Sequence, residues 1–554
     1  MKTANSLSRL AITLVVLTVA AAGAHADVPA RQSAPQSEKL GKVSFSVSCG
    51  AAAQQDFDHA MALFHSFWYP QSIQAFTALA GKQPECAMVQ WGIALSILRN
   101  PLGGYPMSAK DWKEGWIAVE KAKSAGGKTE RERDYIAAME ALYKDSETRD
   151  LRTRQLAYET AMEQVYRRYP DDREAAVLYA LSLNMTALPT DKTYANQLKG
   201  AGILEKVFAE QPNHPGAAHY LIHSYDYPPI AEKGLNAARR FADIAPAAPH
   251  ALHMPSHIFT RLGYWQDSIR TNRAAAEVAH AAAAKKEAGM AGAEGLHAMD
   301  YMMYAYLQGA QDGEAKRLLD RVRAFRTSDN PGRIVPSYAF AAIPARYLIE
   351  RGQWAEAAKL TLHPNELDFP WASWPQAEAV LVYARALGNA RSGDAAGAQR
   401  EIERLKALRE ALIAAKQGYW AGQAEIQIKA ASAWVARAEG KDQEAVSLLR
   451  AAADLEDATE KHIVTPGHLL PAREMLGDLL LESGQPAQAL KEFEASVVKE
   501  PNRFRGLYGA ARAAELAGDR TKAKSYYTKL IAIADQADGA RPELRQARTY
   551  LAQR

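Results

Sequence analysis

The chain has 554 residues, 48% of them apolar and 23% charged, a balance that excludes bulk disorder. Its net charge of +4 is small for a protein that grips a polyphosphate backbone, so nucleic acid is not the expected partner. Two cysteines exclude an iron–sulfur protein, a disulfide-rich mini-scaffold and a CxxC zinc protein.

Lys2 and Arg9 flank a short charged start. Leu10 opens a 14-residue apolar run, and Ala24-His25-Ala26 supplies small residues at a cleavage site. This is the grammar of a secretory signal over residues 1–26, and the run is short of the roughly 20 residues a membrane span needs. No cysteine follows for lipid attachment. The mature chain is therefore expected to be exported, periplasmic in a Gram-negative source and secreted otherwise, with no remaining membrane span. Residues 27–48, polar through residue 45, read as a flexible lead-in. In an oxidising compartment Cys49 and Cys86, 37 residues apart, are expected to form a disulfide that ties this segment to the first hairpin. The alternative is two buried thiols.

Beyond residue 50 the periodicity is helical, with almost no period-2 alternation. It also repeats. Gly484 is followed by Ala489, Phe493 and Pro501, and Gly518, 34 residues on, by Ala523 and Tyr527. Glycine ends one helix cheaply, the small residue lets two helices approach, the aromatic fills their groove, and proline stops the second helix. Looser versions are Gly440–Ala445–Leu449, Gly393–Ala398, Gly352–Ala357, Gly263–Ser268–Asn272 and Gln308-Gly309 with Ala315. Pro84, Pro170, Pro212 and Pro246 match the terminal position.

This pattern resembles the tetratricopeptide repeat family over residues 50–545, with roughly ten helical hairpins. Stretches such as HSFWY (65–69), CAMVQWGIAL (86–95) and HMPSHIF (253–259) are similar to a group of exported bacterial repeat proteins. The resemblance implies an all-α, right-handed superhelical solenoid whose concave groove binds a protein, a peptide or an envelope ligand. It divides into a degenerate array over 49–362, a Trp/Pro-rich loop at 363–375 where a break is expected, and a C-terminal array over 376–554.

Fourteen histidines are present, seven of them between His214 and His280. In the repeat frame His219 and His223 take positions 5 and 9, and so do His253 and His257, 34 residues later. By the family resemblance these positions face the groove, together with His250, His297, Asp300, Tyr304, Asp226 and Arg261. Each H-x-x-x-H pair sets two imidazoles one turn apart on one helix face. His219, His223, His253 and His257 are thus candidate ligands for Zn, Cu, Ni or Fe, and the other six line a ligand groove. Two further readings stand beside this one. The histidines line a polar groove without metal, or they serve a metal-dependent hydrolase with Asp300 as base. His214 and His280 fall off the groove positions and are expected to be exposed; His65, beside Phe67-Trp68-Tyr69, reads as packing.

Gly440 and Gly484 are 44 residues apart, ten more than one repeat. The extra residues fall around KHIVTPGHLLP (461–471), a loop that is a plain spacer, folds over the groove or meets a partner. Residues 122–129 (AKSAGGKT) resemble a phosphate loop, but no strand precedes them, so they read as a lysine-rich turn.

Overall fold

The structure, a computed structural model, describes residues 39–102 and 107–553. The signal expected at residues 1–26 lies outside the described residues, as does the lead-in up to residue 38. The described residues form one compact unit.

The architecture is all-α, a superhelical solenoid of antiparallel helical hairpins. The turn glycines read from the sequence do the expected work. Gly263, Gly352, Gly393, Gly440, Gly484 and Gly518 all have φ between 66° and 89°, the left-handed conformation that ends a helix without a Cβ clash. One turn differs: Gly309 has φ −82°, and Ala310, at φ 55°, makes the left-handed turn instead. Ala315, Ala357, Ala398, Ala445, Ala489 and Ala523 are fully buried where paired helices touch. Phe493 lies against Gly477 and Gly509, where a Cβ would come within 2.6 and 2.2 Å of its ring. The turn at 122–129 also has a structural job. Thr129 caps the Glu130–Tyr143 helix in a capping box with Glu132.

Three features depart from a simple open array. Residues 39–48 do not hang free but run as an extended strap: Phe45 is fully buried, its N–H donates to Asp58, and Lys42 N–H donates to the Asn213 carbonyl. The Cys49–Cys86 disulfide then fastens the strap to the start of the Ala87–Ile97 helix. The 363–375 loop makes no break, because Phe369 and Trp371 are buried in the core shared by the helices Ile334–Ile349 and Pro375–Arg391.

The third feature is closure. The C-terminal repeats return to the middle of the chain: Trp265 Nε1–H donates to the Asn502 carbonyl at 2.8 Å, and Arg541 pairs with Asp312 at 2.6 Å. The groove behind this contact is filled by the chain's own loop at 458–471.

Candidate functional site

Three helices present the histidines. Pro215–Tyr225 carries His219 and His223, and starts with Pro215 at its first position and His214 as cap. The next groove helix is split into Pro249–His253 and Pro255–Leu262, yet Met254 keeps helical dihedrals, so the spacing of His253 and His257 survives Pro255. Ala293–Gln308 contributes His297 and Tyr301.

The four histidines singled out as ligands do not form one site. They sort into two trios, each an H-x-x-x-H pair plus one more imidazole: His219, His223 and His250, and His253, His257 and His297. Within each trio the potential ligand atoms lie within 4.8 Å of one another. His250 and His297, read as groove residues, are the missing members. The trios are neighbours, with ring centroids 6.0 Å apart for both His223–His257 and His250–His253.

The second trio has the more defined chemistry. His253 Nε2 and His257 Nε2 face each other at 3.0 Å. Each ring's other nitrogen meets an acceptor. His257 Nδ1–H donates to Asp226 Oδ2 at 2.8 Å. His253 Nδ1–H donates to Asn272 Oδ1 at 2.6 Å, and the Asn272 amide is oriented by its own donation to the Ser268 carbonyl. Tyr301 Oη lies 3.2 Å from the Thr465 carbonyl and 3.4 Å from His257 Nε2, so the loop offers its proton the shorter acceptor. Both Nε2 atoms are then unprotonated, and their lone pairs point at one place.

A proton between them is disfavoured. Burial, with help from the neighbouring imidazoles, holds His253 well below the usual histidine range. Burial lowers His257 as well, against the pull of Asp226, and takes His297 down to about 3. Asp226 stays ionised despite its burial because Lys461 and Arg261 flank it.

In the first trio His219 Nδ1–H donates to the His65 carbonyl at 2.7 Å, and His219 Nε2 meets His223 Nε2 at 3.1 Å. The carbonyl is free because His65 is the last residue of the Ala51–His65 helix. His250 Nδ1 faces Glu294 at 3.5 Å, while its Nε2 is buried without a hydrogen-bond partner. Phe67, turned at φ 53°, stacks its ring on His223 and His250.

A cavity of about 50 Å³ opens between the trios, lined by His223 and His250 from one, His257 and His297 from the other, and by Glu294 and Arg333. Its lid is the loop at 458–471, which contributes His462, Ile463 and Val464. The loop is anchored along its length. Glu460 binds Lys192 and Tyr194; Lys461 lies 3.5 Å from Asp226 and is pushed down to about 8, mainly by burial. Arg346 donates to Thr465 Oγ1 and to the carbonyls of Gly467 and His468.

The remaining groove residues lie elsewhere. Asp300 is buried in an ion pair with Arg346 at 2.7 Å and does not line the cavity; the carboxylate that does is Glu294. Tyr304 hydrogen-bonds Glu500 and Arg503. Arg261 supports the site indirectly through Asp226.

A third cluster was not legible in the repeat frame. His65 and His214 both donate to Glu174, at 2.9 and 2.7 Å. Their other nitrogens accept from Tyr220 OH and the Ala217 N–H. Every nitrogen has a protein partner, so this trio is a closed hydrogen-bond network. His214 and His280, expected to be exposed, are 1% and 6% exposed, because His214 caps a helix and His280 accepts from the Gly292 N–H.

The supporting Asn272 did have a signal in the sequence. It follows Ser268 at the spacing by which Phe493 follows Ala489, so a polar residue stands where the repeat places an aromatic. It is fully buried. A buried polar residue at an apolar repeat position marks a hydrogen bond that something requires.

No family model matches the chain, and no curated protein matches it. Among solved structures, a human IFIT1 dimer with m7Gppp-AAAA shares 12% identity at a TM-score of 0.38, over 81% of this chain and 90% of that one. The APC/C hetero-tetramer Cut9–Hcn1 gives 12% and 0.29 over 90% of both chains. Naa15/Naa10 bound to HypK gives 11% and 0.23, over 90% of this chain and 73% of that one. The reading of tetratricopeptide-like hairpins rests on this chain's own helix pairing and turn geometry. No described helix is long and apolar enough to cross a membrane.

Proposed function

We propose that the protein is an exported helical-repeat scaffold that holds a transition-metal ion at His253, His257 and His297. One observation carries the reading: two buried Nε2 atoms stand 3.0 Å apart while each ring's Nδ1 faces an acceptor, an arrangement that places the protons on Nδ1 and leaves both Nε2 atoms bare. Left alone, the two lone pairs repel. A cation resolves this, and bonds of about 2.0–2.1 Å to both nitrogens fit that separation at an angle near 95°. Asp226 and Asn272 supply the supporting shell that metal-bound histidines require. All-imidazole donors suit Zn, Cu, Ni or Fe, without the thiolates that would narrow the choice.

The loop at 458–471 occupies this stretch of the groove. A peptide or protein partner therefore docks on another part of the solenoid or displaces the loop. A hydrolase with Asp300 as base has no support in the geometry, since that carboxylate is committed to Arg346.

The test is elemental analysis of untagged protein after equilibration with each of the four metals and removal of the excess. Stoichiometric metal in the natural chain, lost from His253→Gln and His257→Gln, is expected. Sub-stoichiometric content with all four metals would sink the proposal.

A further inference from the structure

We infer that His219, His223 and His250 hold a second metal ion, so that the chamber between the trios is a two-metal centre open to a small donor ligand. The inference rests on the reading of the His253 trio as a metal site and extends it.

The first trio shows the same construction. The His65 carbonyl takes the Nδ1 proton of His219, which leaves His219 Nε2 bare toward His223 Nε2 at 3.1 Å. A simple imidazole–imidazole hydrogen bond would satisfy that pair, but it leaves His250 unexplained. Its Nδ1 faces the Glu294 carboxylate, and its Nε2 is buried with no partner. The potential ligand atoms of these three residues lie within 4.8 Å of one another. A buried nitrogen lone pair without a donor is costly, and a shared cation satisfies all three rings at once.

The molecule contains its own contrast. The trio of His65, Glu174 and His214 is as compact, yet every nitrogen there has a protein partner and none is left for a metal.

Three imidazoles fill only part of a transition-metal shell. Members of both trios line the same 50 Å³ cavity, so the open positions of both ions face one space. That volume admits a few water-sized groups and excludes a peptide or a sugar. Two cations held by neutral imidazoles carry a net positive charge and favour an anion, to which Arg333 adds little because it is paired with Glu294 at 2.9 Å on the same wall. The ligand class is therefore a small oxygen or nitrogen donor, such as hydroxide or azide.

The experiment loads untagged protein with Cu(II) and reads copper per chain, then the electron paramagnetic resonance spectrum with and without azide. Two copper ions per chain are expected, with a half-field transition from closely spaced spins and a spectrum that azide changes. His219→Gln should retain one copper and lose the half-field transition, while circular dichroism confirms that it is folded. One copper per chain in the natural protein overturns the second site and leaves the first reading intact; none overturns the second site as well, and the first reading falls with it only where Zn, Ni and Fe are absent too. Two copper ions with no half-field transition, or with no response to azide, overturn the shared chamber. The natural protein alone decides each of these outcomes, whether or not the variant folds.

Discussion

Asn272 shows at the residue scale how the site is paid for in packing. It gives up the aromatic contact that Phe493 makes in its own repeat, and in return it takes the Nδ1 proton of His253. Asn272→Leu restores an apolar residue to the repeat position but removes this acceptor. The expected result is a folded protein whose metal affinity at the second trio falls about 10–100-fold, measured by competition with a chelator. Arg503 offers a residue-scale prediction away from the histidines. It is fully buried between Glu474 at 2.8 Å and Glu350 at 3.1 Å, with Glu500 at 3.7 Å. Burial, with the repulsion of Glu350 and Glu500, outweighs Arg503 and pushes Glu474 up to about 7. The folded state thus holds this proton more tightly than the unfolded chain does. The resulting stability is complete below the ordinary value of 4.5 and is lost as pH rises through about 7. Glu474→Gln cannot titrate, so its melting temperature should gain on that of the natural chain between about pH 5 and 8. A constant gap across that range would refute the assignment.

At the scale of the element, the hairpin and the inserted loop have separate logics. The hairpin depends on one aromatic filling the space that two glycines leave. Phe493→Ala empties that space and should cost about 3–5 kcal/mol, read from chemical denaturation. The loop at 458–471 has no regular structure and is held by buried polar anchors. Arg346 is the principal one, joining Asp300, Thr465, Gly467 and His468. Arg346→Met leaves Asp300 buried and unpaired and should destabilise by about 3–5 kcal/mol. Adding Asp300→Asn removes the stranded charge and should recover part of that loss. The pair together would then read the loop's anchorage and not the cost of an orphaned carboxylate. Hairpin turns were legible in the sequence because glycine at a left-handed position follows from local sterics. The loop's length was legible as ten residues beyond one repeat, but its destination was not. That destination is set by Lys192, Asp226 and Tyr301, which lie 160 or more residues away in the chain.

The whole molecule is a solenoid closed on itself. The C-terminal repeats return to Trp265 and Asp312, and the strap at 39–48 is pinned to the first helices. The Cys49–Cys86 bridge closes a 37-residue separation and constrains the unfolded chain, a contribution of about 2–4 kcal/mol. Reduction should therefore lower the unfolding free energy by that amount, read from chemical denaturation, while leaving metal stoichiometry unchanged, since neither sulfur belongs to a histidine trio.

By itself the sequence determined the all-α class, the hairpin period and the register that sets His219 with His223 and His253 with His257. These follow from short-range rules: helix periodicity, turn sterics and a repeat spacing of 34 residues. Only the tertiary structure decided how the histidines divide. His250 joins one pair and His297 the other, because helix crossing and the split at Pro255, not sequence spacing, set which rings converge. It also decided that Asp300 serves Arg346, that His65 and His214 close on Glu174, and that the chain's own loop covers the groove. Each of those outcomes depends on a polar group finding its partner 40 to 268 residues away in the chain, and a buried donor or acceptor takes the partner that the fold brings within reach.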